Sequence, residues 1–276
     1  MSCVRLQNAG FGRILIYMQM NFSAIGNRLG HAGRRLGARA IDLLYPPDCA
    51  LCGAGLQGHH SLCEACAGDL PRIVEPFCQT CGMAFEGIID HAFECPNCSG
   101  LSFAFEFARP VMLKDMRTLD LIHQLKYQRS LHLAHELGKL AAESFQNDPR
   151  LATALAEKWP LIPVPLHRSR LIHRHFNQAE EIALGLSHQT GLPVISALRR
   201  TRDTGTQTRL SRKQRMKNLQ GSFEISKAGQ NLIGKNPHGA VLIDDVLTTG
   251  STVNECAKTL RREGIRKVVV ITVMRG

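Results

Sequence analysis

The chain has 276 residues, enough for one large or two smaller domains with a buried core. Aromatic residues are few, and the longest early apolar run, residues 14–20, is too short to span a bilayer and precedes no small-residue cleavage site. These features argue against a membrane or secreted protein and predict a soluble chain with no transmembrane segment. The formal net charge of +11 favours partners that carry phosphate groups.

The start of the chain differs in composition from the rest. Residues 1–41 contain six arginines and no acid, and residues 1–33 show no sustained apolar period. We therefore predict that residues 1–42 form a basic, poorly ordered extension, apart from a short helix that begins near residue 34 and stops before two prolines. A functional arm and an over-extended reading frame both fit this composition.

Residues 43–100 are rich in cysteine and glycine and lack the apolar period that builds a core. Two thiolates of one C-x-x-C turn can reach the same tetrahedral zinc, so four such pairs fit two structural zinc ions. Pairing in chain order predicts a double zinc ribbon, and an interleaved cross-brace is the alternative. Disulfides or redox chemistry would not need four evenly spaced pairs. The eight candidate ligands are Cys49, Cys52, Cys63, Cys66, Cys78, Cys81, Cys95 and Cys98.

Residues 101–276 show alternating strand and helix patterns. Phe103, Phe105 and Phe107 alternate as in a half-buried strand, while Cys256 shares an apolar helical face and is predicted to be a core residue. Strands that alternate with helices predict an α/β fold with a mostly parallel sheet and helices on both faces. The predicted strands cover 161–164, 193–198, 240–245 and 267–273, and the predicted helices include 177–188 and 251–263.

The stretch V-L-I-D-D-V-L-T-T-G-S-T, residues 241–252, joins a predicted strand to a predicted helix. Asp244 and Asp245 stand at the carboxyl end of the strand, where parallel sheets bind ligands. Backbone N–H groups at a helix start suit a phosphate, while two carboxylates can accept hydrogen bonds from vicinal sugar hydroxyls or hold hydrated Mg²⁺. The stretch therefore predicts a sugar-phosphate site. The phosphate would lie against Thr248, Thr249, Gly250, Ser251 and Thr252.

Two basic clusters precede this stretch. One covers Arg168–His175, and the other, Arg199–Lys217, holds eight Lys or Arg residues and one acid. The second cluster fits three roles: a mobile lid over the sugar-phosphate site, a surface that contacts nucleic-acid phosphates, or an ordinary solvated face. Aromatic residues for stacking on bases are scarce, only Phe176 and Tyr127. The candidate lid or nucleic-acid contacts are Arg209, Arg212, Lys213, Arg215 and Lys217.

Residues 241–252 closely resemble the phosphoribosyl-pyrophosphate (PRPP) motif of type I phosphoribosyltransferases. That resemblance implies that Asp244 and Asp245 contact the ribose hydroxyls, with a catalytic role in a working enzyme, and that residues 248–252 hold the 5′-phosphate. From about residue 43 the whole chain resembles the ComF family of competence-associated, GntX-like proteins. The shared motifs are L-L-Y-P-P-D-C-A-L-C (43–52), the C-x-x-C pairs, L-I-H-Q-L-K-Y (121–127), P-V-P-L-H-R-S-R (163–170), R-H-F-N-Q (174–178) and T-Q-T-R-L-S-R-K-Q-R-M-K-N (206–218).

The family resemblance implies a double zinc ribbon over 43–100 and a type I phosphoribosyltransferase-like domain over 101–276. It also places Arg174 and Asn177 among the PRPP- or phosphate-binding residues, because the corresponding transferase loop contacts pyrophosphate. Relatives commonly read R-G-F-N-Q, and the His175 side chain in place of glycine narrows the approach of a pyrophosphate.

Three functions fit the resemblance. The first is a DNA-uptake protein that binds PRPP or a related sugar phosphate, and single-stranded DNA, in the cytoplasm or at the inner face of the membrane, beside proteins of the DNA-uptake machinery. The second is an active phosphoribosyltransferase that displaces pyrophosphate from Mg²⁺-bound PRPP with a nitrogen nucleophile. The third is a structural adaptor that keeps a relict cradle. The lack of an obvious base-recognition segment favours the first.

Overall fold

The computed structural model describes residues 47–58, 60–87, 93–203 and 218–276. The predicted extension, residues 1–42, lies outside the described residues, and so do positions 204–217 of the basic segment. Within the described ranges, no helix combines the length and the apolar content needed to cross a bilayer.

The ribbon region, residues 47–100, consists mostly of turns, with a short helix α1 (Glu64–Gly68) after its first bridge. The elements that follow are β1 (Ala108–Leu113), α2 (Met116–Tyr127), α3 (Leu131–Asn147), a 3-10 turn (Pro149–Leu151), α4 (Ala152–Ala156), β2 (Leu161–Pro163), α5 (Arg168–Arg174), α6 (Gln178–Thr190), β3 (Leu198–Arg200), β4 (Phe223–Ile225), α7 (Lys227–Ile233), β5 (Gly239–Leu247), α8 (Ser251–Arg262) and β6 (Lys267–Arg275).

Four parallel strands form the central sheet in the order β1-β6-β5-β2, and β3 pairs with β4 as a separate antiparallel ribbon. The central strands are apolar on both faces because helices cover both. Val241 and Ile243 belong to a core shared with α3 and α6, whereas Ala240 and Leu242 belong to a core shared with Cys256 of α8. The predicted parallel α/β fold is confirmed, as is the buried position of Cys256.

The ribbon region covers the β1 edge of the sheet. The Ile73 N–H donates to the Val111 carbonyl at 2.8 Å, and the Ala108 N–H donates to the Thr80 carbonyl at 2.9 Å. These bonds satisfy backbone groups of an edge strand that would otherwise stand open. Cys49 belongs to the core on the α3 side, and the last four paired cysteines belong to the core on the α8 side. The two ribbons therefore contact opposite faces of the same sheet.

Two predicted strands differ from the structure. Phe103 and Phe105 precede β1 and stack on each other with their ring centroids 4.8 Å apart, so their alternation does not mark a strand. The segment 193–198 pairs with the sheet through one isolated bridge, between Leu161 and Val194, and is not a strand of the sheet. The segment 193–198 lies beside β2, which has only three residues to pair with.

Candidate zinc centres and phosphate cradle

The paired cysteines form two compact groups in chain order, and the four sulfur atoms of each group lie within 4.8 Å of one another. Four thiolates with no open position make the donor set of a closed, structural zinc site, so these residues fit two zinc ions. Pairing in chain order is therefore confirmed, and the interleaved cross-brace is wrong. The first group is Cys49, Cys52, Cys63 and Cys66, and the second is Cys78, Cys81, Cys95 and Cys98.

Backbone N–H groups stabilise the thiolates that a zinc ion needs. The Cys63 N–H donates to the Cys49 Sγ at 3.4 Å, and the Cys95 N–H donates to the Cys78 Sγ at 3.3 Å. A hydrogen bond from the Cys81 side chain, aided by such N–H groups, lowers the pKa of the Cys78 thiol to about 4. Because zinc binds the thiolate, these bonds favour metal binding.

The phosphate cradle, residues 248–252, closes a small pocket between β5 and α8. Gly250 has φ +75°, a left-handed conformation that glycine adopts without strain. The Phe103 ring lies behind this turn, 3.5 Å from the place that a Cβ would take. The Thr249 Oγ1 and Ser251 Oγ atoms are 2.8 Å apart. The pocket is lined by Asp244, Val246, Leu247, Thr248, Gly250, Ser251, Thr252 and Val253.

Asp244 and Asp245 have different surroundings, although both lie near the end of β5. Strand β5 continues to Leu247, so the acids lie within the strand rather than at its last residue. Burial, and then the charge of Asp245, raises the pKa of Asp244 to about 8. Asp245 is buried and its Oδ2 lies 2.6 Å from the Lys126 Nζ. The pair thus has one acid that holds its proton near neutral pH and one that is balanced by a lysine.

Two cations that act on the acids, Lys126 and Arg200, were not among the predicted site residues. Lys126 lies in the last turn of α2, inside the L-I-H-Q-L-K-Y motif, and that motif was the one signal that could have pointed to it. Arg200 of β3 is half-buried, and its charge acts to lower the pKa of Asp244. Only the folded chain brings β3 near the end of β5, so sequence spacing gives no signal for Arg200.

The predicted pyrophosphate loop approaches the acids through α2. The Arg174 Nη1 donates to the Gln178 Oε1 at 3.0 Å, and its guanidinium carbon lies 5.4 Å from the centroid of the Tyr127 ring. Tyr127 directly follows Lys126, the ion-pair partner of Asp245. The end of α2 therefore contacts both the loop and the acid pair.

Asn177 and His175 have clear local roles in this loop. The Asn177 side chain caps α6 by accepting the Ala179 N–H at 3.2 Å, and its Nδ2 donates to the Val164 carbonyl at 3.1 Å. His175 has φ +68° and its N–H donates to the Leu171 carbonyl at 2.7 Å. Glycine at this position would avoid the strain of a left-handed conformation, which gives a backbone reason for the glycine of relatives. Phosphate contacts by Asn177 remain a prediction.

The basic segment is attached at the β3–β4 pair, where the Thr201 N–H donates to the Ser222 carbonyl at 2.9 Å. Its first residues include Arg200, whose charge reaches Asp244. The first residues of the segment therefore act on the acid pair through the charge of Arg200. Outside the described residues lie the predicted contacts Arg209, Arg212, Lys213, Arg215 and Lys217.

Comparisons with known proteins match both regions of the chain. The model of the Double zinc ribbon domain family matches residues 40–99. Competence protein F of Haemophilus influenzae is 29% identical over 80% of this chain and 94% of its own. Competence protein ComFC of Streptococcus pneumoniae is 22% identical over 78% of this chain and 87% of its own. DNA utilization protein YhgH of Escherichia coli O157:H7 is 33% identical over 83% of this chain and 96% of its own. With that identity over nearly the full length of a relative, and with two four-cysteine groups docked on a parallel α/β sheet, the chain belongs to the ComF family of competence and DNA utilization proteins.

Proposed function

We propose that this chain acts in the uptake or use of DNA, and that its phosphate cradle binds PRPP or a related sugar phosphate. The names of the relatives, competence proteins and DNA utilization proteins, support the first part. The second part rests on one observation: Asp244 lines the same pocket as the cradle residues. A sugar phosphate needs hydrogen-bond donors for its phosphate and acceptors for its hydroxyl groups in the same pocket.

The cradle supplies donors for the phosphate end of such a ligand. Helix α8 has twelve residues, and its first N–H groups carry the partial positive charge of the helix dipole. Thr249 and Ser251 hydroxyls, which now contact each other, can turn toward phosphate oxygens. Gly250 allows close approach of the backbone.

The acid pair supplies acceptors for the sugar end. Vicinal hydroxyls of a ribose are donors that a carboxylate accepts well, and a charged partner strengthens such bonds. The same carboxylates fit a hydrated Mg²⁺ carried by PRPP, whose charge would neutralise the pyrophosphate and favour the ionised form of Asp244. Lys126 keeps Asp245 in place before the ligand arrives.

We also propose that the basic segment, Arg199–Lys217, contacts the backbone of single-stranded DNA. Its excess of seven positive charges, eight basic residues against one acid, suits a chain of phosphates, and the action of the Arg200 charge on Asp244 supports a position of its first residues near the cradle. Proteins of the DNA-uptake machinery are the partners expected for such a role, in the cytoplasm or at the inner face of the membrane.

Calorimetric titration with PRPP and Mg²⁺ tests the cradle. We expect the wild-type protein to bind, and the double variant Asp244→Asn, Asp245→Asn to lose at least about 100-fold in affinity, because hydrogen bonds to charged groups contribute roughly 1.5–3 kcal/mol each and about 1.4 kcal/mol is tenfold. Glu224→Gln is the control, since Glu224 is an exposed acid of β4. Equal affinities in the wild type and a correctly folded double variant would contradict the assignment. Release of pyrophosphate would mark the transferase alternative.

The salt dependence of oligonucleotide binding tests the basic segment. In single strands each neutralised phosphate contributes roughly 0.7 to the slope of log affinity against log salt. Replacing Arg212, Lys213 and Arg215 by alanine should therefore weaken binding to single-stranded DNA and lower that slope by about two units, with little sequence preference. A lid that acts only on PRPP predicts an unchanged slope, with altered PRPP binding instead.

A further inference from the structure

Arg275, near the end of β6, is a buried arginine whose side chain holds the first part of the cradle. Its Nη1 donates to the Leu247 carbonyl at 2.8 Å and to the Thr248 carbonyl at 2.7 Å. Only 6% of the residue is exposed to solvent, so these bonds lie in a region of low dielectric, where they are strong. The Gly276 N–H adds a 2.8 Å bond to the same Leu247 carbonyl. The end of β5 and the start of the cradle are therefore tied to β6 through one guanidinium.

The other end of the same guanidinium faces the second cysteine group. The Arg275 Nη2 lies 3.8 Å from the Cys81 Sγ. A zinc-bound thiolate carries negative charge, so metal binding would strengthen this contact. Because Arg275 contacts both Cys81 and the start of the cradle, a shift of Cys81 would move the cradle as well.

The second ribbon is packed closely against β1 of the sheet. At Gly82, next to Cys81, an added Cβ would lie 2.3 Å from the Pro110 Cδ of β1. The turn that carries Cys78 and Cys81, the cysteine knuckle of the second ribbon, therefore lies directly against the sheet. On its other side the knuckle and the cradle share a cavity of about 300 Å³. Its lining comes from the ribbon region and from the cradle side, namely Met83, Asn97, Thr248, Thr249, Arg275 and Gly276.

We propose that Arg275 is a positioning residue that couples the second zinc site to the phosphate cradle, so that anion binding by the cradle depends on metal in the second site. The first zinc site lies on the opposite face of the sheet, where Cys49 belongs to the core, and the Gln124 Nε2 ties its Ala50 carbonyl to α2 at 2.9 Å rather than to the cradle. The expected loss of ligand affinity rests on the proposed function. The expected effect on the ordering of the cradle does not.

Three single variants of the zinc-loaded full chain test this coupling: Arg275→Lys, Cys81→Ser and Arg261→Lys. Lysine at position 275 keeps a positive charge, but its single nitrogen cannot occupy both the Nη1 position beside the two carbonyls and the Nη2 position beside the Cys81 sulfur. Arg261 is the matched control, since it lies on α8 and donates to the Ala104 carbonyl at 3.3 Å without reaching the cradle. Three quantities are measured: the zinc content by elemental analysis, the hydrogen exchange of residues 247–253 without ligand, and the affinity for PRPP.

For Arg275→Lys we expect two zinc ions per chain, exchange in 247–253 that is at least about tenfold faster, unchanged exchange in α3, and PRPP affinity about tenfold lower. Cys81→Ser should lose one zinc ion and show the same faster exchange. Arg261→Lys should match the wild type. If Arg275→Lys leaves the exchange of 247–253 unchanged, or if Cys81→Ser loses zinc without loosening the cradle, the coupling is wrong. If the wild type binds no PRPP, the proposed ligand is wrong, and the exchange data still decide the coupling.

Discussion

Asp244 combines burial with the charge of Asp245 beside it, and both raise its pKa to about 8 from the 3.8 of a free side chain. Between these two values the folded protein holds a proton that the unfolded chain releases. The contribution of Asp244 to the free energy of unfolding should therefore fall as the pH rises from about 4 to about 8, and then level off. A buried acid that binds ligand only when it is ionised therefore lowers the free energy of unfolding at neutral pH.

The variant Asp244→Asn tests this linkage because asparagine keeps the shape of the side chain and does not titrate. Relative to the wild type, it should gain stability progressively as the pH is raised from 5 to 8, with no further gain above about 8. Urea unfolding at constant zinc and ionic strength measures the difference. Asp69→Asn, at a side chain 76% exposed, is the control and should change little over that range. A difference that does not vary with pH would contradict the raised pKa.

The arrangement of the cradle could be predicted from the sequence because one continuous stretch of chain builds it. A strand, two acids, a hydroxyl-rich turn and a helix follow one another without interruption. Lys126 and Arg275 could not be assigned this way, since each reaches the site from an element far away in the sequence. Their partners are set by the packing of α2 and β6, which no local pattern encodes.

Helices and strands were predicted best where a long apolar pattern coincided with a cap. Helix α8 begins at Ser251, as its preceding glycine and hydroxyls indicated. The segment around Phe105 was mistaken for a strand because alternation alone does not supply a hydrogen-bonding partner. Phe103 and Phe105 instead support the turn at Gly250. Aromatic alternation next to a binding turn can thus reflect packing under the turn.

Glycines inside helices were a weak signal in the sequence and mark a close contact in the structure. Gly138 of α3 lies against α6, where an added Cβ would be 2.5 Å from the Ile182 carbonyl oxygen. Gly185 of α6 faces α3 in the same way, 2.9 Å from the His135 Cα. Helices that cross this closely need a residue without a side chain, so these glycines serve packing rather than flexibility.

The arrangement of the whole molecule was the least predictable level. Sequence spacing identified two zinc ribbons, but not that they contact opposite faces of one sheet and cover its β1 edge. That docking depends on contacts between distant segments. The proposed coupling depends on this docking, because the second ribbon reaches the cradle through Arg275 and Cys81.

A buried ionic network holds the second ribbon to the sheet. Asp148 is buried, with its Oδ2 2.6 Å from the Arg150 Nη2 and 3.6 Å from the Arg109 Nε. The Arg109 guanidinium carbon lies 4.4 Å from the centroid of the Phe77 ring, and the Arg150 Nη1 donates to the Gln79 carbonyl at 2.9 Å. One carboxylate therefore orients two arginines that both contact the ribbon.

Asp148→Ala should destabilise the protein by about 3–5 kcal/mol, because it leaves two buried or half-buried guanidinium groups without their counter-ion. Glu224→Ala is the matched control, since it removes the acid of an ion pair with Arg199 in which both side chains are more than half exposed. That change should cost roughly 1 kcal/mol or less. Urea unfolding at saturating zinc measures both, and zinc content measured before unfolding separates loss of metal from loss of docking. If Asp148→Ala costs no more than Glu224→Ala, the network does not hold the ribbon, and the docking would have to depend on the apolar contacts of the cysteine knuckle alone.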